Sequence, residues 1–197
     1  MQRIVLATHN LGKVAEFQHL LAPIKWQVIP QSEFNLPSPE ETGLTFIENA
    51  ILKARFASEK TGLPALGDDS GLEVDALSGA PGIYSARYAG EHGDFLANCH
   101  KLLAELKTVP QQQRSARFHC VLAFLKHAND PVPLVCHGVW EGYILEEMRG
   151  QQGFGYDPLF YVPTHHCSAA ELDPATKNQL SHRAKALTAL IQQLEVN

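Results

Sequence analysis

Two long runs of β-type residues, 114–126 and 132–146, stand in the middle of this chain, joined only through the turn formers Ala128-Asn129-Asp130-Pro131. An antiparallel hairpin is the economical way to close so short a connection. On either side of it the period of the apolar residues changes. Ile4 to Ala7 is a short β-type run, and after polar Thr8 to Asn10 the residues Val14, Phe17, Leu20 and Leu21 recur on one face of a helix. Residues 26–29 read as a second strand, and 30–43, rich in Pro, Ser and Glu, as an exposed loop. Thr45 followed by Glu48 is a capping box, and the helix it opens runs through Ala50, Ile51, Ala54 and Ala57 to a stop at Gly62 and Pro64.

Beyond that helix, Gly67-Asp68-Asp69-Ser70-Gly71 reads as an acidic turn, and Leu72 to Leu77 alternates as a strand does. Residues 79–88 begin with turn formers, 95–109 are helical, and 150–157 are glycine-rich. Asp173-Pro174 opens a final helical stretch that breaks near Ser181 and resumes through Leu187, Leu190, Ile191 and Leu194. Helices alternating with strands around a long hairpin predict an α/β fold, with a mixed central sheet and flanking helices, in a single domain over residues 1–197. Two lobes with a cleft between them would let the polar loops meet.

Composition narrows the function classes. A chain of 197 residues with 45% hydrophobic content supports a sizeable core. A net charge of −5 lacks the dense basic face that nucleic acid needs, but it leaves room for a small polyanion held by a few local cations. Cys99, Cys120, Cys136 and Cys167 have neither C-x-x-C spacing nor crowding, so buried reduced thiols are expected. His165-His166-Cys167 are three chain neighbours that cannot easily share one tetrahedral ion. The opening apolar run is too short for a signal-peptide core, and no later run approaches the roughly 18 residues of a membrane span. The expectation is a soluble, cytoplasmic protein with no membrane partner.

Three segments carry residues suited to one chemistry. Thr8-His9-Asn10-Leu11-Gly12-Lys13 lies where a strand hands over to a helix N-terminus, which favours phosphate, although the spacing is not that of a Walker loop. Asp68 and Asp69, flanked by glycines, are hard oxygen ligands of the kind Mg²⁺ takes one or two at a time, and Glu40 or Glu41 would complete the set. Either segment taken alone is equally an N-cap or a local turn. Lys53 and Arg87 could clamp phosphates or remain solvated. Gly153-Phe154-Gly155-Tyr156-Asp157 would let a planar base stack near the backbone, and Lys177, His182 and Arg183 supply donors of different geometry.

Taken in order, these segments resemble the inosine triphosphate pyrophosphatase family, and most closely its bacterial dITP/XTP pyrophosphatase branch. The carrying residues are Thr8, Asn10 and Lys13; Glu41-Thr42-Gly43 with Phe46-Ile47-Glu48-Asn49-Ala50 and Lys53; Asp68-Asp69-Ser70-Gly71-Leu72; Gly79-Ala80-Pro81-Gly82 with Ser85-Ala86-Arg87-Tyr88; Phe154 to Pro158; and Ser181-His182-Arg183. The resemblance implies an elongated two-lobed fold with the site in the cleft, a homodimer, and Mg²⁺-dependent hydrolysis of ITP, dITP and XTP to the monophosphate and pyrophosphate. It implies Asp69 as general base or metal-site acid, with Glu40 and Asp68 beside the metal. It places Thr8 to Lys13, Lys53 and Ser70 on the triphosphate, and Phe154, Gly155, Tyr156, Asp157, Lys177, His182 and Arg183 on the base. One departure is His9, where the family commonly has glycine. The competing readings are a pyrophosphatase for modified pyrimidine nucleotides and a catalytically silent nucleotide sensor. The two-ring pocket weighs against the first, and the intact acidic residues weigh against the second.

Overall fold

The computed structural model describes residues 2–24, 26–91 and 93–196. Its elements are β1 (Arg3–Ala7), α1 (Leu11–Leu21), β2 (Gln27–Pro30), α2 (Phe46–Thr61), β3 (Ala65–Val74), α3 (Phe95–Glu105), β4 (Ser115–Leu125), β5 (Leu134–Ile144), β6 (Phe160–Val162), β7 (Cys167–Ser168), α4 (Pro174–Leu180) and α5 (His182–Val196). The strands form one seven-stranded mixed sheet in the order β2-β1-β3-β4-β5-β6-β7. β1 runs parallel to both β2 and β3, whereas β6 is antiparallel to β5 and to β7.

The chain divides into two compact units: residues 1–69, 120–138 and 183–197, and residues 70–119 and 139–182. In the first unit the sheet is covered on both faces, which is why its strands read as unbroken apolar runs. Ile4 and Leu6 of β1 pack with Val14, Phe17 and Leu21 of α1 and with Leu187 and Leu190 of α5. Val5 and Ala7, pointing the other way, meet Ala50, Ala54 and Ala57 of α2. In the second unit one face packs on α3, where Leu72, Val74, Phe118 and Trp140 meet Cys99 and Leu102. The other face carries Glu73, Arg117, His119 and Glu141, with Arg117 ion-paired to Glu73 and Glu141 and His119 hydrogen-bonded to Glu73. Strand β4 shows both regimes: burial alternates from Ser115 to His119 and becomes continuous from Cys120 to Leu125, and the unit boundary falls at that change.

The acidic segment is not a turn. Residues 67–71 lie inside the ten-residue strand β3. The reason is the helix above: a Cβ on Gly67 would stand 2.1 Å from the carbonyl oxygen of Ala50, so glycine there serves close approach of α2 to the strand. Residues 30–43 also hold more than an exposed loop, since a 3₁₀ turn over Gln31–Phe34 buries Gln31. The sequence patterns are otherwise close to the elements. Thr45 and Glu48 form the reciprocal cap of α2, and Gly62 ends that helix at φ 68°. Asp173 caps α4, and Ser181 separates α4 from α5. The helix read over 95–109 ends at Glu105, and β6 and β7, three and two residues long, carry no periodic signal.

Candidate functional site

In the first unit the strand β1 delivers the chain to α1 through Thr8-His9-Asn10. The Asn10 side chain accepts from Lys13 N at 3.1 Å, and the Thr8 hydroxyl accepts from Asn10 N at 3.2 Å. These two oxygens therefore shape the turn, and Leu11 and Gly12 begin the helix with Leu11 exposed. One turn on, the Lys13 ammonium reaches across to β3 and donates to Asp68 Oδ1. Asp68 Oδ2 accepts from Arg183 Nε and from the Cys120 thiol, both at 3.2 Å, and Arg183 Nη1 donates in turn to Glu16. Asp68 is fully enclosed. Burial pushes its proton affinity up, but Lys13 and Arg183 overcome that and hold the carboxyl far below the usual range.

The next residue along the strand faces the other helix. The Ala-lined face of α2 lies close against the sheet, which brings Lys53 down so that its ammonium donates to Asp69 Oδ1 at 2.6 Å and to Glu41 Oε1 at 3.1 Å. Burial raises the Asp69 carboxyl above its ordinary value, and Lys53 only partly opposes the rise. The Lys53 ammonium is disfavoured by burial, yet Asp69 and Glu41 hold its affinity above the usual lysine value. Asp69 Oδ2 is buried with no hydrogen-bond partner among the described residues. An anionic oxygen left in that state is poised for a cation or for an acidic proton.

These donors decide what the pair can hold. Asp68 has cations on both oxygens, whereas Asp69 has an unoccupied one, with Glu41 sharing its lysine. Glu40 is exposed. No group of three His, Cys, Asp or Glu side chains suited to a metal occurs among the described residues. A hard divalent cation would thus take Asp69 and Glu41 and complete its shell from water and phosphate, the habit of Mg²⁺.

The second unit builds a different kind of surface. Asp157 Oδ2 accepts from Phe154 N at 2.8 Å and from Lys177 Nζ at 2.7 Å, and the Lys177 ammonium stands 5.0 Å from the centre of the Phe154 ring. Gly153, at φ 77°, makes this possible, because a Cβ there would lie 2.1 Å from Asp157 Oδ2. The Tyr156 hydroxyl donates to the Ser85 carbonyl at 2.8 Å, and the Gly155 carbonyl accepts from Cys99. His182 is buried and stacked on Phe118 at 4.8 Å and 17°. Ser70, the first residue of this unit, is half-buried on β3, and the Arg87 guanidinium lies over the Tyr84 ring.

Sequence reasoning did not find Glu16 or Cys120. Glu16 lies three residues from Lys13, which places both on one face of α1, and that was the available signal. Cys120 had none. Arg183, expected at the base, is engaged with Asp68 and Glu16 in the first unit.

The family model described as Ham1 family matches residues 4–193. The dITP/XTP pyrophosphatase of Vibrio parahaemolyticus is 61% identical over 194 residues, covering 98% of this chain and 97% of that protein. That of Vibrio cholerae is 60% identical over 195 residues, covering 99% and 98%. Among solved structures, a HAM1 protein from Coxiella burnetii superposes with a TM-score of 0.91 at 54% identity over 100% of both chains.

Proposed function

The chain belongs to the Ham1 family, and from that premise we propose that it hydrolyses the non-standard purine nucleoside triphosphates dITP, ITP and XTP to the monophosphate and pyrophosphate. It is a nucleoside-triphosphate pyrophosphatase, in keeping with the names of its relatives. The observation that carries the mechanism is the buried, unpartnered oxygen of Asp69 beside Lys53. A carboxylate whose proton affinity is raised by burial can take a proton from water, and that water then attacks the α-phosphorus while pyrophosphate leaves. Lys53 and Lys13 exchange their carboxylate partners for phosphate oxygens and neutralise the charge that builds on the leaving group. Magnesium held by Asp69 and Glu41 would supply charge screening on the triphosphate.

Base selection follows from donors. Hypoxanthine and xanthine present an acceptor at C6, which suits Lys177 or His182, whereas adenine turns an amino group toward those donors and leaves them unsatisfied. A site built in this way discriminates by as much as about 10⁴ to 10⁵. Phe154 offers the stacking face.

Pyrophosphate release from dITP, XTP, dATP and dGTP measured in parallel tests the reading. Rapid turnover of dITP and XTP alone is expected, with dATP refused at C6 and dGTP, which shares the C6 acceptor, refused through its 2-amino group; a chelator should abolish turnover and Mg²⁺ restore it. Asp69→Asn should lower turnover by roughly 10²-fold or more while leaving the fold intact, and near-normal turnover in that variant removes Asp69 from its role. Binding of all four without turnover would replace the enzyme with a sensor.

Among the described residues no helix is long and apolar enough to cross a membrane, and all four cysteines are free, as the reducing cytoplasm favours. A homodimer is expected, so sedimentation at micromolar concentration should give about twice the chain mass, and a monomer there would refute it.

A further inference from the structure

We propose that Ser85 is a positioning residue for base selection: it braces the loop 153–157, which meets the base, against strand β3. The inference rests on the pyrophosphatase reading and deepens it. Ser85 is buried in a 3₁₀ turn over Gly82–Arg87, and both of its oxygens are used. The hydroxyl accepts from Leu72 N of β3 at 2.8 Å and donates to the Gly82 carbonyl at 2.6 Å. The carbonyl accepts from the Tyr156 hydroxyl at 2.8 Å. Leu72 stands two residues beyond Ser70, and Tyr156 lies between Gly155 and Asp157, so one residue ties the strand to the loop.

The turn can carry this load because it is itself fixed. Asn98 of α3, fully buried, accepts from Ala89 N at 2.6 Å and donates to the Ala86 carbonyl at 3.3 Å. Gly93 N donates to the same carbonyl at 2.8 Å. The neighbouring Cys99 gives its thiol hydrogen to the Gly155 carbonyl at 3.5 Å, and one turn earlier the Phe95 ring stands 6.2 Å from that of Phe154. Helix α3 therefore supports the loop at Phe154 and Gly155, and Ser85 supports it at Tyr156. Burial pushes the Tyr156 phenol well above its ordinary range, so it stays protonated and remains the donor. A stacking ring and its neighbouring donor select a base only when they are held within about 0.5 Å of the productive geometry. Alanine in place of Ser85 would still offer the carbonyl to Tyr156 but would release the turn from Leu72, so the loop would no longer be referred to the strand.

The test compares Tyr156→Phe, which keeps the ring in the core and removes only the hydroxyl, with Ser85→Ala, which keeps the carbonyl and removes the tie to β3. In Tyr156→Phe, KM for dITP should rise roughly tenfold, the size of one buried hydrogen bond, with kcat little changed. The gap in kcat/KM between dITP and dATP should narrow, and inorganic pyrophosphate should bind as it does to the wild type. Ser85→Ala should move the same quantities in the same direction, and the double variant should go little beyond the larger single effect, because both act through one brace. A residue that merely stabilised the fold would lower the active fraction, and with it kcat for every nucleotide, while KM and the dITP to dATP ratio stayed where they were. That pattern in folded Tyr156→Phe would overturn the inference, as would a matching loss of pyrophosphate affinity. Either result leaves wild-type turnover of dITP in place, whereas a wild-type protein that did not turn over dITP would remove the pyrophosphatase reading itself.

Discussion

At the scale of single residues, two adjacent aspartates have been given opposite tasks by what surrounds them. Asp68 and Asp69 point to opposite faces of β3 because successive strand residues must. One meets Lys13, Arg183 and Cys120, and the other meets Lys53 on one oxygen and has no hydrogen-bond partner among the described residues on its second, buried oxygen. The first is therefore an anchor. Its folded-state proton affinity lies far below the ordinary aspartate range, so the folded protein binds fewer protons than the unfolded chain around the pH where a free aspartate titrates. Its stabilisation is fully present above pH about 4 and drains as pH falls below that toward the depressed folded value. Asp68→Asn should destabilise the protein at neutral pH by about 3 kcal/mol, because Lys13 and Arg183 lose a buried counter-ion. It should also lose less stability than the wild type between pH 5 and pH 3, roughly the window set by the aspartate reference value. Denaturant midpoints at the two pH values read both effects, and equal acid sensitivity in the two proteins would remove Asp68 as the anchor.

At the scale of elements, the contact between α2 and β3 sets where Lys53 stands relative to Asp69, and it depends on small residues on both sides. Gly67→Ala places a methyl group against backbone atoms of Ala50 and Ala54, which have no rotamer with which to yield. It should cost about 3 kcal/mol by overpacking and lower turnover by moving Lys53. Gly62→Ala, at φ 68° with open space around it, should cost about 1 kcal/mol through backbone strain alone and leave turnover intact. Urea unfolding of the two variants separates them, and equal losses would mean that the contact is not tight. The same contact explains what the sequence could and could not disclose. Gly, Asp and Ser in succession are turn formers by local preference, so 67–71 read as a turn, and only the helix lying above them makes that glycine a strand residue. The capping box, the αL stop at Gly62 and the break at Ser181 are local chemistry and were legible. Lys13, Lys53, Asp68, Asp69 and Arg183 were legible as candidates from residue type and, taken together, through the family resemblance, but their pairing was not. Lys13 and Asp68 are 55 residues apart, and Glu16 and Arg183 are 167 apart. No periodicity carries information over such distances.

At the scale of the whole molecule, the residues proposed for the two kinds of recognition fall in different units. The cations proposed for the polyphosphate, Lys13 and Lys53, and the carboxylates beside them, Asp69 and Glu41, belong to residues 1–69, while Phe154, Asp157, Lys177 and His182 belong to 139–182. A net charge of −5 gives no general attraction for a polyanion, so triphosphate affinity has to come from the few local cations. Phosphate binding and base selection should then separate as independent free energies. Lys13→Met should weaken pyrophosphate and raise KM for dITP and dATP by a common factor, because the lost contact does not see the base. His182→Phe keeps a flat ring against Phe118 and removes the ring nitrogens. It should leave pyrophosphate affinity unchanged and narrow the gap in kcat/KM between dITP and dATP by roughly tenfold or more, the size of one or two lost donor interactions. The double variant should show the product of the two effects. If Lys13→Met changed the dITP to dATP ratio, or if His182→Phe weakened pyrophosphate, the two kinds of recognition would be coupled, and selection would act on the triphosphate as a whole rather than on the base.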